Sequence, residues 1–387
     1  MRLFAYGALA VVLVVYLTSS GVSASQTGLL LTLTLVGDTA VSLYLTTRAD
    51  RLGRRRMLIV GAILMVAAGV TFAWTRDFLL LVVAGTIGVI SPSGNEVGPF
   101  LPIEQAALAH VVPSDARTAA FAWYTLAGSL ATAAGSLCGG VLSQALQRTA
   151  ATPLASYRVV VLLYAALGAV LALLFTRLSP ATEVAAPQAT TAAFGIGRSR
   201  AVVLRLSGLF ALDAFAGGFV IQSFAAYWFY LRFGVNPATL GMIFFWANVF
   251  AGVSALLASR LAARFGLVKT MVFTHLPSNV LLILVPLMPT LPLAVLVLLA
   301  RFSISQMDVP TRQSYVMAVV RPEERSAAAG ITGVARTTGA AIAPVFAGWM
   351  FARPSLVSVP FFIAGTLKIV YDLLLYRGFV SAPERSE

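Results

Sequence analysis

Apolar runs of roughly 18 residues or more recur along the whole chain, each long enough to cross about 30 Å of hydrocarbon. Polar turns such as "RDF", "PSDAR", "RPEER" and "ARPS" separate them. Backbone in lipid must satisfy its own hydrogen bonds, so a chain with this repetition folds as a bundle of helices. Only 11% of the 387 residues are charged while 59% are hydrophobic, against about 25% charged in a soluble domain. The fold class expected is therefore an all-α polytopic membrane protein. The turns predict twelve helices, over about 2–20, 25–47, 57–75, 78–111, 117–147, 157–177, 204–231, 236–260, 268–288, 291–319, 325–350 and 356–378. The first of these is read as a retained helix rather than a cleaved leader, because "YLTSSGVSASQTG" runs straight into the second.

The one long interruption, "SPATEVAAPQATTAAFGIGRSR", is rich in Ala, Thr and Pro and has no apolar periodicity. It divides the chain into a six-helix bundle at 1–178, a linker at 179–200 and a second bundle at 201–387. Basic residues crowd one set of turns, among them Arg48, Arg51, Arg54, Arg55, Arg56, Arg117, Arg177, Arg260, Arg264, Lys269, Arg321 and Arg325. The opposite turns carry only Arg76, Arg148, Arg158, Arg232 and Arg353. That asymmetry predicts a cytoplasmic linker and cytoplasmic termini in a cytoplasmic membrane of bacterial type. It also explains the net charge of +13 without nucleic acid as a partner. The single cysteine, Cys138, excludes an internal disulfide and a cysteine-built metal centre, and no metal or cofactor is expected.

The two halves repeat one design. "GVSASQTG" (21–28) matches "GVNPATLG" (234–241) at an offset of 213, and the same offset sets Gly53 on Gly266. "EQAALAHVVPSDAR" (104–117) parallels "RQSYVMAVVRPEER" (312–325) at an offset of 208, and Glu96 falls on Asp308 at 212. Several matches in order, at nearly constant offsets, indicate duplication, and transporters built this way bind their solute near the midplane. In the 213 register Asp213 maps ahead of Met1, which predicts residues missing upstream of the first methionine.

Between the second and third helices, "DRLGRRR" (50–56) resembles the signature loop of the major facilitator superfamily, with Thr46 where that pattern has glycine. "GSLCGG" (135–140) in the fifth helix is similar to the antiporter motif of that superfamily's drug exporters, with Ser136 in place of its proline. An arginine early in the fourth helix is another family feature; Ala84 stands near that position. The resemblance implies alternating access and, for Asp50, Arg51, Gly53, Arg54 and Arg55, a latch at the cytoplasmic ends of the helices. Physical chemistry agrees with such a role. Asp50 can accept from backbone amides at a helix start or pair with arginine, Gly53 permits the tight reversal, and the arginines reach carboxylates or lipid phosphates.

Ionisable side chains inside the membrane are costly and mark function by default. Asp38 lies about 18 Å along its helix from Asp50 with no compensating base nearby in sequence, so it is a proton-coupling candidate. Asp213 is a second, or else the partner of Arg336, which lies deep enough to need a carboxylate or an anionic ligand. The fourth helix is interrupted by "SPSGNEVGPFLPIEQ", and such breaks are tolerated only against protein or water. This places Asn95, Glu96, Glu104 and Gln105 beside a cavity, with Gln306, Asp308, Arg312, Gln313 and Tyr315 as their counterparts in the tenth helix. Glu104 and Arg312 occupy equivalent positions and either pair with each other or take opposite ends of a zwitterion. Asp308 and Arg312, four apart, share a helix face. Arg301 and Lys368 are weaker candidates because long basic chains snorkel, and His110 and His275 are read as near helix ends and non-catalytic. Trp123, Tyr124, Trp228, Tyr230 and Trp246 are assigned mainly to packing and interfaces. The glycines of "GSLATAAGSLCGG" and "GITGVARTTGAAIAP" let helices pack closely.

With no GxxxxGK[ST] phosphate loop, the expected energy source is an ion gradient. The reading is a proton-coupled secondary transporter of a small polar or charged organic solute, working as a monomer in the lipid bilayer. Export by antiport is favoured, with uptake by symport of an organic anion or zwitterion as the alternative. A membrane-embedded lipid enzyme would need a constellation such as HExxH or GxSxG, and neither is present. A transporter-like sensor would lack an extramembrane domain to report a signal.

Overall fold

The computed structural model describes residues 1–94, 98–113, 117–149, 151–179, 182–183, 199–321 and 324–379. Every regular element among them is helical. The elements are α1 (Arg2–Ser19), α2 (Ala24–Leu52), α3 (Arg54–Trp74), α4 (Phe78–Ile87), α5 (Phe100–Val111), α6 (Arg117–Arg148), α7 (Pro153–Phe175) and α8 (Arg200–Gly218). They continue with α9 (Gln222–Phe233), α10 (Pro237–Phe265), α11 (Leu267–Leu284), α12 (Leu291–Ser305), α13 (Asp308–Val319), α14 (Arg325–Phe351) and α15 (Val359–Phe379). Ten stretches among the described residues are long and apolar enough to cross a membrane. The expected spans outside that set are the fourth, cut into α4 and α5, and the eleventh, α14, whose Ala, Gly and Thr dilute its apolarity.

Three expected spans are each made of two helices. The break between α4 and α5 was legible in its glycines and prolines; Gly94 and Gly98 adopt φ of 72° and 75° there, backbone that residues with a Cβ rarely adopt. The breaks between α8 and α9 and between α12 and α13 were not expected. Gly217 and Gly218 end α8, where low helix propensity meets the backbone of α14 close to Gly218. Pro310 sits in the first turn of α13. It has no N–H for the Gln306 carbonyl, so the helix stops and restarts with the proline where a donor is not needed.

Backbone geometry carries the sequence repeat. Gly53 and Gly266, at the 213 offset, join α2 to α3 and α10 to α11 with φ of 99° and 84°. Ser23 Oγ accepts from Gln26 N at 3.2 Å to start α2, and Asn236 Oδ1 accepts from Thr239 N at 2.9 Å to start α10. These caps are also 213 apart and each satisfies an orphan amide of a first turn.

Contacts gather the chain into two compact units, Met1–Gln188 with Ile221–Phe245, and Ala189–Val220 with Trp246–Glu387. In unit 1, α1 is buried at every residue from 5 to 17 and packs on α6, α7 and α9. The glycines of α6 make this approach possible: Gly135 lies against the Phe4 backbone, Gly139 against Ala8 and Gly140 against Pro237 and Gly241. Ser223 donates from N (3.1 Å) and Oγ (2.6 Å) to the Pro92 carbonyl, and Gln222 Nε2 donates to Ser136 Oγ at 3.2 Å, which fixes the start of α9. In unit 2, α8 lies along α14 and α15, and α11 lies against α12, α13 and α15. Val203, Leu206, Phe210, Met271, Tyr315 and Tyr371 belong to its apolar core.

Candidate functional site

Asp213 of α8 is the hub of a buried ionic cluster in unit 2. Its Oδ1 accepts from Lys368 Nζ of α15 at 2.5 Å, and its Oδ2 accepts from Arg312 Nη1 of α13 at 3.3 Å. Arg312 also donates to Asp308 Oδ2 at 2.8 Å, the expected pair one helical turn apart. His275 Nε2 of α11 stands 3.8 Å from Asp213 Oδ1, while its Nδ1 lies 2.8 Å from Asp372 Oδ1 of α15. Asn279 Nδ2, one turn after His275, donates to Asp372 Oδ2 at 2.9 Å. Asp213 is 4% exposed, His275 4% and Asp372 1%, so the groups exchange interactions with one another rather than with water. His275 thus stands between two carboxylates, with Nδ1 toward Asp372 and Nε2 toward Asp213.

Unit 1 holds a smaller cluster. Arg2 Nη1 of α1 donates to Glu104 Oε1 of α5 at 2.5 Å, Tyr124 Oη of α6 donates to Glu104 Oε2 at 2.5 Å, and Arg2 Nη2 donates to Tyr124 Oη at 2.6 Å. The Arg2 guanidinium also lies 5.3 Å from the Phe100 ring centre. Asp38 of α2 accepts from Gly98 N at 2.6 Å, and Ser42 Oγ donates to Gly98 O at 3.0 Å. Both oxygens therefore steady the break ahead of α5.

At the turn between α2 and α3, the first amides of α3 point at a carboxylate. Arg54 N donates to Glu183 Oε2 at 2.8 Å, Arg55 N donates to Glu183 Oε1 at 3.0 Å, and Arg54 Nη1 reaches Thr182 O at 3.2 Å. An anion at a helix N-terminus meets unsatisfied donors and the positive end of the dipole. Sequence gave Asp50 the choice of such amides or an arginine; here Glu183 occupies the amides of α3, and the Asp50 and Arg51 side chains lie outside the described residues.

Several expectations change. Glu104 and Arg312, proposed as partners, each find a counter-charge within their own unit. Asp213, considered as the partner of Arg336, pairs directly with Lys368 and Arg312 instead. Lys368 does not snorkel, and His275 sits inside the cluster rather than at a helix end. Gln306 lies at the break between α12 and α13, where its N–H reaches Ser254 Oγ at 3.3 Å. Tyr315 is buried, Gln105 partly so and Gln313 exposed. Asn95 and Glu96, together with the side chain of His110, fall outside the described residues. Lys368 was only a weaker candidate, and Asp372, Asn279, Arg2 and Glu183 were not singled out as site residues.

The Arg2–Glu104 pair should be energetically coupled. In a cycle of Arg2→Gln, Glu104→Gln and the double variant, thermal unfolding in detergent should give a coupling on the order of 1 kcal/mol. Additive losses would mean that the two charges do not meet.

The family pattern described as the Major Facilitator Superfamily matches residues 1–231 and 206–387. YJR124C, an uncharacterised membrane protein of Saccharomyces cerevisiae, is 31% identical over 407 residues, covering 97% of this chain and 91% of the relative. Among solved structures, the nucleoside transporter NupG superposes with a TM-score of 0.75 at 14% identity, over 98% of this chain and 96% of that one. A D-xylose–proton symporter does so with a TM-score of 0.72 at 15% identity, over 99% and 95%. At such identities the likeness is one of fold. The pattern spanning both halves, on a helical fold shared with transporters, makes this chain a member of the Major Facilitator Superfamily, a secondary transporter and not an enzyme.

Proposed function

We propose that the chain couples proton movement to transport of a small polar or charged organic solute, with export by antiport as the direction. The observation that carries this reading is His275 held between two buried carboxylates, one of which is the hub of the ion pairs. Proton arrival at Asp213 through His275 Nε2 removes the charge that holds Lys368 and Arg312. Those cations then rearrange or take another anion, which links protonation to conformation. Asp38, engaged by Gly98 N, is assigned to positioning the break rather than to carrying the proton. The similarity of "GSLCGG" to an antiporter motif supports the direction, and the arginine-rich turns support cytoplasmic termini.

Proteoliposomes of the full chain, loaded with a pH-sensitive dye and screened with small organic solutes, test the proposal. Antiport predicts that a transported solute added outside raises the lumenal pH as protons leave, and symport predicts that it lowers it. Asp213→Asn and His275→Gln should remove the pH signal. Solute uptake with no lumenal pH change would reduce the protein to a facilitator.

A further inference from the structure

In unit 2, Arg312 and Lys368 are buried, and Arg301 and Arg336 are partly buried. Its membrane-embedded cluster holds Arg301, Arg312, Arg336 and Lys368 against Asp213, Asp308 and Asp372. Four basic side chains thus face three carboxylates. Arg312 and Lys368 are bound directly to carboxylates, so the excess falls on the other two. Arg301 lies 4.9 Å from the Phe302 ring centre and has a buried Nε without a hydrogen bond. Arg336, one turn before Gly339 of α14, which packs on Ala211 of α8, is partly buried. Among the described residues its buried Nε has no hydrogen-bond partner and it makes no ion pair. It shares the electrostatic field of Asp213, Asp308 and Arg312 without touching them. One turn earlier on the same face, nothing stands within 4 Å of where a Cβ on Gly333 would lie.

An uncompensated guanidinium in a low-dielectric interior is unfavourable, and a fold keeps one where a ligand supplies the counter-charge. We infer that Arg336 is the anion-binding residue of the transported solute, and that the solute carries an oxyanion, a carboxylate or a phosphate. The planar guanidinium fork matches either group bidentately, which a compact ammonium does not. Arg301 adds a second positive charge to the same region. The inference rests on the reading of this cluster as the coupling site and names the chemistry of what it binds.

The test has an arm that needs no ligand. Arg336→Gln removes a charge that the empty protein cannot compensate, so the melting temperature of the purified full chain in detergent should rise. Removal of a paired charge would lower it. In the second arm, benzoate and phenyl phosphate are titrated at constant ionic strength against benzyl alcohol as the neutral control. At least one oxyanion should raise the melting temperature saturably, and the alcohol should not. Arg336→Gln should weaken that response about tenfold or more, Arg336→Lys should keep part of it, and Arg353→Gln, at an exposed arginine, should change neither arm. The oxyanion that acts more strongly separates a carboxylate solute from a phosphorylated one. A fall in melting temperature in Arg336→Gln overturns the inference. So does an oxyanion response unchanged in that variant, or no saturable response to either oxyanion. Oxyanion binding that survives while the lumenal pH signal is absent would sink proton coupling alone.

Discussion

Asp213→Ala should destabilise the protein by about 3–5 kcal/mol, the usual cost of breaking a buried ion pair by removing one partner. The carboxylate receives Lys368 Nζ at 2.5 Å and Arg312 Nη1 at 3.3 Å. Without it, Lys368 loses the carboxylate it is bonded to and Arg312 keeps only Asp308. The loss should appear as a lower melting temperature in detergent and as earlier unfolding in denaturant. Asp213→Ala with Lys368→Ala should be less damaging than the two single losses added together, since removal of both charges strands neither. An Asp213→Ala protein within about 1 kcal/mol of the parent, the range of exposed pairs, would show that water reaches this cluster.

Gly135→Leu should be comparably severe for a different reason. A Cβ at Gly135 would overlap the Phe4 carbonyl oxygen, a backbone atom that no rotamer change can move. α1 and α6 would have to separate along this close contact, and overpacking of this kind costs about 1–3 kcal/mol or more. Gly208 makes the control: nothing lies within 4 Å of its hypothetical Cβ, and Gly208→Ala should stabilise α8 by up to about 1 kcal/mol through helix propensity. Comparable melting temperatures for the two variants would mean that α1 and α6 do not meet closely.

The helical spans and the repeat were legible because each depends on short-range pattern: hydropathy, turn residues, capping side chains and glycines at fixed offsets. Asp213, Asp308 and Arg312 were legible because an ionisable group in an apolar run is conspicuous in itself. Their partners were not, because partnership is decided by which helix faces meet. His275 was judged by its distance from a helix end, and Lys368 by the reach of its stem. A signal for both was present. His275 with Asn279, Asp308 with Arg312, and Lys368 with Asp372 are polar pairs four residues apart in apolar helices, a spacing that sets both members on one face. Three such faces in one half can be satisfied only by turning toward one another. Glu183 had no comparable signal, since a linker carboxylate gains meaning only once a helix start is beside it. The breaks at α8–α9 and α12–α13 went unread because glycine and proline are also tolerated within membrane helices.

The two ion pairs that join the first and fourth spans of each half have opposite polarity. In unit 1 the base is on α1 and the acid on α5; in unit 2 the acid is on α8 and the base on α13. Glu104 and Arg312 are equivalent at the 208 offset, and Arg2 falls two residues beyond Asp213 at 213. If both halves descend from one ancestral segment, the lineage inverted a bridge while keeping its anchorage. A reversal of charge at one end alone would have set like charges against each other inside the membrane. The two halves therefore differ by changes at both ends of the bridge, so that each half carries its own electrical sign at the same structural seam.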